Sequence, residues 1–197
     1  VRTLRLPSVD PAELRGMARL QAGQRMPHST EEIVSACKVV GADKEGYGKV
    51  LLVIATREII GERVEALRQA GMEVDRVCLS TEGVCNQFVR ACPERVRGDA
   101  PIALLDMDSN HSDFIVLREG RPVFTRSILV GCAHVSGGSD QDFEKLLDEL
   151  DHSLKLHRNQ ERTEPPSALF LCGAAGSAPG LDKAAARRLG LAVSYCP

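Results

Sequence analysis

The 197-residue sequence has no tryptophan and no excess of either charge, with 25 Lys and Arg against 27 Asp and Glu. A net charge of −2 leaves no basic footprint for a phosphate backbone, so DNA and RNA are not expected partners. Long apolar runs are missing too. The longest, residues 50–55, is strand-sized, whereas a membrane helix needs roughly 20 apolar residues, so any membrane link is expected to go through another protein. An initiator Met and a charged-then-apolar leader are both absent, and the chain reads as a segment of something longer. The seven cysteines form no C-x-x-C pair and none of the ligand clusters of a structural zinc site; they are expected to be reduced and metal-free, in a cytosolic compartment. Cys78, Cys85 and Cys92 are spaced seven apart, but Cys78 is expected on a strand ahead of the helix, which leaves them as small buried residues. His152 and His157, five apart, do not share a helical face and are expected at the surface.

What is present is the composition of an ordinary globular protein, 43% hydrophobic and 26% charged, long enough for one large domain or two small ones. Asp10, Pro11 and Glu13 spell a helix start, with an Asp cap, Pro at the first helical position and a Glu placed to bond back to the cap amide. Leu14, Met17, Ala18 and Ala22 give that helix one apolar face to about Gln24, ahead of Pro27. Residues 33–40 and 49–56 read as strands. A helix capped by Thr56, carrying Ile60, Val64 and Leu67 and stopped by Gly71, then leads to a strand over 74–79, making a β-α-β unit. Thr81 is expected to cap a further helix with Val84, Cys85, Phe88 and Val89 inward.

The polar stretch 93–100 marks a domain boundary, giving a partial first domain over 1–99, with an inserted small subdomain, and a second over 100–197. Apolar runs at 101–107, 113–117 and 123–129, the last two joined through Glu119 and Gly120, predict an antiparallel meander. Residues 137–140 punctuate the chain before one long helix marked by Phe143, Leu146, Leu147, Leu150 and Leu154. A polar loop over 158–166, a strand over 167–172, a glycine-rich turn over 173–180, a helix over 181–189 and a strand over 192–195 complete the chain.

Two segments carry the chemistry. An apolar strand from Ile102 ends in Asp106, a polar turn follows with Asp108, Ser109, Asn110 and Ser112, and a second apolar strand returns to Leu117. In such a hairpin the turn amides can bind phosphate while the Asp organises a metal ion or its waters. The strand 169–172 runs into Gly173, Ala174, Ala175 and Gly176, where small residues let backbone lie against an adenosine ring and ribose.

The order of these segments resembles the second domain of the actin, Hsp70 and sugar-kinase superfold. The flanking text, Leu4 to Pro7 before a capped helix, Gln69 to Asp75 before a strand, Phe124, Arg126 and Ile128 followed by Gly131, and Leu171 to Leu181, narrows the resemblance to the type IV pilus assembly protein PilM family and the related GspL cytoplasmic domain. It implies an α/β fold with actin-like, ribonuclease H-like mixed sheets flanked by helices, in two partial domains. It also implies an assembly scaffold in a type IV pilus or type II secretion platform, cytoplasmic and peripheral to the inner membrane. The implied partners are the tail of a PilN-like inner-membrane protein, received in a groove beside the first-domain sheet, and motor components. ATP with magnesium is implied for a full-length parent and no cofactor for this fragment, because three features depart from the pattern. Asp108 stands where the family's phosphate hairpin has Gly, Gly173 and Ala174 stand where its adenosine turn has paired glycines, and no Asp-x-Gly hairpin precedes Arg5.

Two enzyme readings compete with the scaffold. One is a slow ATPase with Asp106 at the metal. The other takes Asp106 and Asp108 as the D-x-D nucleophile and acid of a haloacid-dehalogenase-like phosphatase, a motif that runs towards a helix rather than towards the strand expected at 114–117. A third possibility is two solvated carboxylates ending a hairpin. The scaffold reading assigns no catalytic residue and no metal site to this chain.

Overall fold

The computed structural model describes residues 1–25, 29, 31–137, 140–161 and 164–196. The chain divides into two compact units, Val1–Val77 and Cys78–Pro197.

In the first unit the strands β1 (Arg2–Leu6), β2 (Ile33–Ala42) and β3 (Gly48–Thr56) form an antiparallel sheet in the order β1-β3-β2. Helix α1 (Pro11–Arg25) covers one face, burying Leu14, Ala18 and Ala22 against Leu4, Leu6, Ile33, Val50 and Leu52. Spacings of four in α1 and of two in β1 and β3 bring these apolar sets together. Gly48 permits the close approach: a Cβ there would lie 2.5 Å from the Ser8 carbonyl oxygen and 2.6 Å from a Leu14 methyl. The Asp10 cap forms, its carboxylate accepting from the Ala12 and Glu13 amides at 2.8 and 2.9 Å. Glu13 does not reach back to the cap amide. Its carboxylate accepts instead from the Ser8 hydroxyl at 2.5 Å, and Ser8 Oγ accepts from the Asp10 amide at 3.0 Å.

Three features here differ from the sequence reading. β1 was not anticipated, because five alternating residues are too short a signal without a known partner strand. Residues 74–79 form no strand, since this segment pairs with nothing among the described residues, so there is no β-α-β unit. Thr56 precedes α2 (Arg57–Gln69), but its hydroxyl makes no cap bond, and α2 buries no residue. The point at which α1 meets Pro27 lies outside the described residues.

The second unit is built on a five-stranded mixed sheet. Strands β4 (Ile102–Met107), β5 (Ser112–Arg118) and β6 (Arg121–Ile128) form the expected antiparallel meander. β7 (Ala168–Gly173) and β8 (Ala192–Tyr195) extend it in parallel, in the order β6-β5-β4-β7-β8. Alternation along the strands feeds two cores. Ala103, Leu105, Met107, Phe114 and Val116 face α5 (Asp140–Glu161) and α6 (Leu181–Leu189), where Leu146, Leu150 and Leu181 are fully buried. Ile102, Leu104, Ile115, Leu117 and Phe170 face α3 (Ser80–Ala91) through Cys85 and Phe88, with the Phe88 and Phe170 rings 4.8 Å apart.

The division into compact units falls along the chain between Val77 and Cys78, whereas the sequence reading places it between 99 and 100. The difference is α3, whose buried Cys85 and Phe88, with Cys92 just after it, belong to a core of the second unit. Position Leu79, rather than Thr81, precedes that helix, and Thr81 is itself buried. A short helix α4 (Cys132–Gly137) was missed, residues 138 and 139 of the expected break lie outside the described set, and α5 runs to Glu161, into the expected loop.

His157 is fully buried, not at the surface, with its ring 5.6 Å from that of Phe124. It continues the inward stripe of Leu146, Leu150 and Leu154. Cys78 lies on no strand, and Cys172 is joined to Cys196 by a disulfide, which corrects the expectation that all seven cysteines are reduced.

If the Asp10 carboxylate holds the start of α1, Asp10→Ala will destabilise the first unit by about 1 kcal/mol. Urea unfolding followed by circular dichroism measures this, and an unchanged midpoint would show that Ser8 and Glu13 suffice.

Candidate functional site

β4 fixes the position of Asp106. Its alternation directs Ile102 and Leu104 to the α3 face, so Asp106 falls on that face at the end of the strand, where another apolar residue would otherwise stand. Sheet register continues a polar row across the molecule: Ser127 opposes Asp113, Asp113 opposes Asp106, and Asp106 lies beside Cys172. Asp113 is buried and accepts a short hydrogen bond from the Ser127 hydroxyl. Burial, then the charges of Asp113 and Asp108, raise the Asp106 pKa above the ordinary carboxylate range, and nearby His111 opposes them.

The turn after β4 is closed by the Asp108 amide donating to the His111 carbonyl at 2.9 Å. The Asp108 carboxylate accepts from the Ser109 amide at 2.7 Å. Behind it, the Asp108 and Ser109 carbonyls accept from the Cys132 and Ala133 amides of α4, both at 2.9 Å. Gly131 makes this docking possible, since a Cβ there would lie within 2.4 to 2.5 Å of three backbone atoms of the turn. Here is also why α4 forms: turn carbonyls, rather than a cap in its own sequence, take its first amides.

Gly173 ends β7 with φ +63°, and a Cβ there would stand 2.4 Å from the Met107 carbonyl oxygen and 2.6 Å from Asp106 Oδ1. Both the conformation and the contact require glycine. Ala174 to Ser177 follow as a 3-10 turn in which Ala175 is buried in the α5 and α6 core, Ala174 is half-buried and Gly176 is exposed.

The residues singled out from sequence therefore separate. Asp106 and Gly173 are in contact, and Asp108, Ser109 and Asn110 share the neighbouring turn. Ser112 faces inward, fully buried, its hydroxyl donating to the Val130 carbonyl at 2.6 Å. Sequence reasoning missed Asp113, which the hairpin register alone places beside Asp106, and a cavity of about 350 Å³ over this end of the sheet. Gly83, Gln87 and Phe88 of α3 line one side of it, and Asp106, Cys172, Gly173 and Cys196 the other. Among the described residues no group of three or more His, Cys, Asp or Glu is placed to hold a metal ion, and no helix is long and apolar enough to cross a membrane.

A raised carboxyl pKa means that the folded state holds its proton more tightly than the unfolded chain. Asp106 thus adds stability below pH 3.8, its ordinary value, and that contribution is lost as pH rises through the folded pKa. Asp106→Asn is expected to raise the Tm at pH 7, by a few degrees at most because the half-buried carboxyl is partly screened by solvent. The gain should shrink as the pH falls towards 4, near the unperturbed carboxyl value. Coincident melting curves at neutral pH would contradict this electrostatic account.

A family model for the type IV pilus assembly protein PilM matches residues 6–139. No curated protein sequence matches the chain at significant similarity. Among solved structures, the chain superposes on the PilM-PilN type IV pilus biogenesis complex with a TM-score of 0.78 and 18% identity, covering 98% of this chain and 65% of that one. It also superposes on a Bacteroides thetaiotaomicron protein of actin-like ATPase fold and unknown function, with a TM-score of 0.55 and 10% identity, covering 98% of this chain and 63% of that one. The chain thus spans just under two thirds of the length of these structural relatives, and at such identities the likeness establishes the fold, an actin-like arrangement of mixed sheets flanked by helices. With the family model matching well over half its length, the chain belongs to the type IV pilus assembly protein PilM family.

Proposed function

We propose that this chain acts as an assembly scaffold of a type IV pilus, on the cytoplasmic side of the inner membrane, by holding the cytoplasmic tail of a PilN-like membrane protein. The observation that carries the reading is the family match over residues 6–139, joined to the likeness in fold to a PilM-PilN complex. Motor components of the pilus would be further partners. A related type II secretion platform would use the same tail-holding chemistry.

The first unit offers a seat for such a tail. Among the described residues β2 is an edge strand, with one side of its backbone unpaired in the sheet. Beside it lies a groove of about 260 Å³ lined by Arg19, Gly23, Ile33, Val34, Ser35 and Arg57. Arg57 braces the start of β2, its guanidinium donating to the Glu31 and Ile33 carbonyls at 3.1 and 3.4 Å. An extended peptide can add to an exposed strand through main-chain hydrogen bonds while neighbouring pockets select its side chains.

The scaffold reading goes with a nucleotide site that has degenerated. The residues around Asp106 do not suit a polyphosphate, because the Asp108 carboxylate takes the Ser109 amide and adds negative charge where phosphate would approach. No catalytic step is assigned to Asp106, and no cofactor to this fragment. The phosphatase alternative needs a helix after its second Asp, whereas β5 follows the turn. Its acid would also be Asp108, an exposed side chain already bonded to the Ser109 amide.

A fluorescent peptide carrying the partner's cytoplasmic tail is expected to bind this chain saturably. Arg19→Glu, an exposed change at the groove, should weaken binding about tenfold, equivalent to 1.4 kcal/mol. Undiminished binding by the variant would move the tail elsewhere, and failure of the unaltered chain to bind would overturn the scaffold reading.

A further inference from the structure

The Cys172–Cys196 disulfide lies in the wall of the cavity that also contains Asp106. Its Cα atoms are 5.3 Å apart, inside the range a disulfide spans without moving the backbone. Cys172 stands at the end of β7 in register with Asp106, and Cys196 directly follows β8. The Cys196 amide donates to the Leu171 carbonyl at 2.7 Å, so the bond is made where the parallel ladder ends.

β8 depends on that bond more than the other strands would. It is an edge strand, four residues long, and none of its residues is buried. Four parallel register pairs and the partly buried Val193 are its other ties to the sheet. Cys85 and Cys92 are buried in the α3 core, whereas Cys172 and Cys196 are each partly accessible to solvent.

We propose that Cys172 and Cys196 are a reversible thiol–disulfide site whose redox state sets the hold of β8 on the sheet and the shape of the cavity beside Asp106. The oxidant is a low-molecular-weight disulfide such as oxidised glutathione. The Cys196 thiolate attacks one sulfur of that disulfide, forms a mixed disulfide and releases one glutathione thiolate. Cys172 then gives its proton to solvent and attacks the Cys196 sulfur, forming the internal bond and expelling the second glutathione thiolate. Two protein thiols are oxidised and one glutathione disulfide is reduced to two thiols, and excess reduced glutathione runs the sequence backwards. Cys196 attacks first because it follows the edge strand β8, whereas Cys172 lies inside the sheet on β7, between β4 and β8.

The structural consequence is local. Oxidised, the two sulfurs are clamped side by side in the cavity wall opposite Gly83, where a Cβ would meet nothing within 4 Å. Reduced, β8 is free to fray from β7 and the wall opens at Cys196. The site is independent of the pilus reading, since it follows from the sheet edge and the cavity alone.

The test equilibrates the full chain in glutathione buffers stepped from fully reduced to fully oxidised, alkylates free thiols, and maps the peptides by mass spectrometry. A single two-electron transition is expected, linking Cys172 to Cys196 while Cys78 enters no link within the protein. Amide hydrogen exchange on the same samples should slow over 192–196 and over α3 on oxidation. Cys172→Ser and Cys196→Ser should each abolish the link and leave exchange at the reduced level. A pair alkylated at the oxidising end, or one still linked at the reducing end, overturns reversible switching. Exchange in α3 that ignores the redox state overturns the coupling to the cavity.

Discussion

The second unit depends on β4 being covered on both faces. Five of its six residues are buried, alternating between the α5 and α6 core on one side and the α3 core on the other, and antiparallel β5 and parallel β7 occupy its two edges. A strand held in this way cannot slip by one residue without exchanging its two cores, so the register around it is fixed. Asp106 is positioned by that constraint. The same register brings Asp113, Ser127 and Cys172 into line with it, and the tight turn at Gly173 closes the row.

Much of this was legible from spacing. The meander over 102–129, the stripe of α5 and the strand–turn–helix order from Leu169 to Leu189 follow from period-2 and period-3.6 patterns that need no tertiary information. What spacing could not supply was partnership. The apolar stretch 74–79 looks like a strand but has no strand to pair with, and β1 looks too short until β3 is seen beside it. α4 owes its first turn to carbonyls on another loop. His157 was misplaced for a related reason: its own helix stripe points inward, and the ring of Phe124 on β6 completes its surroundings.

The candidate site shows the same division. Asp106, Asp108 and Gly173 could be picked out because strand ends and glycines leave a mark in sequence. Asp113 and the Cys172–Cys196 pair could not, because register and a bond across 24 residues of sequence emerge in three dimensions. Ser112 was read as part of the phosphate turn from its place in the segment, yet the pleat turns its hydroxyl inward to Val130. Turn chemistry and nucleotide chemistry thus draw on the same residue types, and hydrogen-bond partners distinguish them.

The account rests on the claim that the Asp108 carboxylate, by accepting from the Ser109 amide in the turn after β4, occupies an amide that a phosphate would need. Isothermal titration of the chain and of Asp108→Gly with Mg-ATP tests this most directly. The account predicts binding by the unaltered chain weaker than about 1 mM, and tighter binding once the carboxylate is gone. Micromolar binding by the unaltered chain would contradict it, and would return Asp106 to the role of metal organiser that its place at the strand end first suggested.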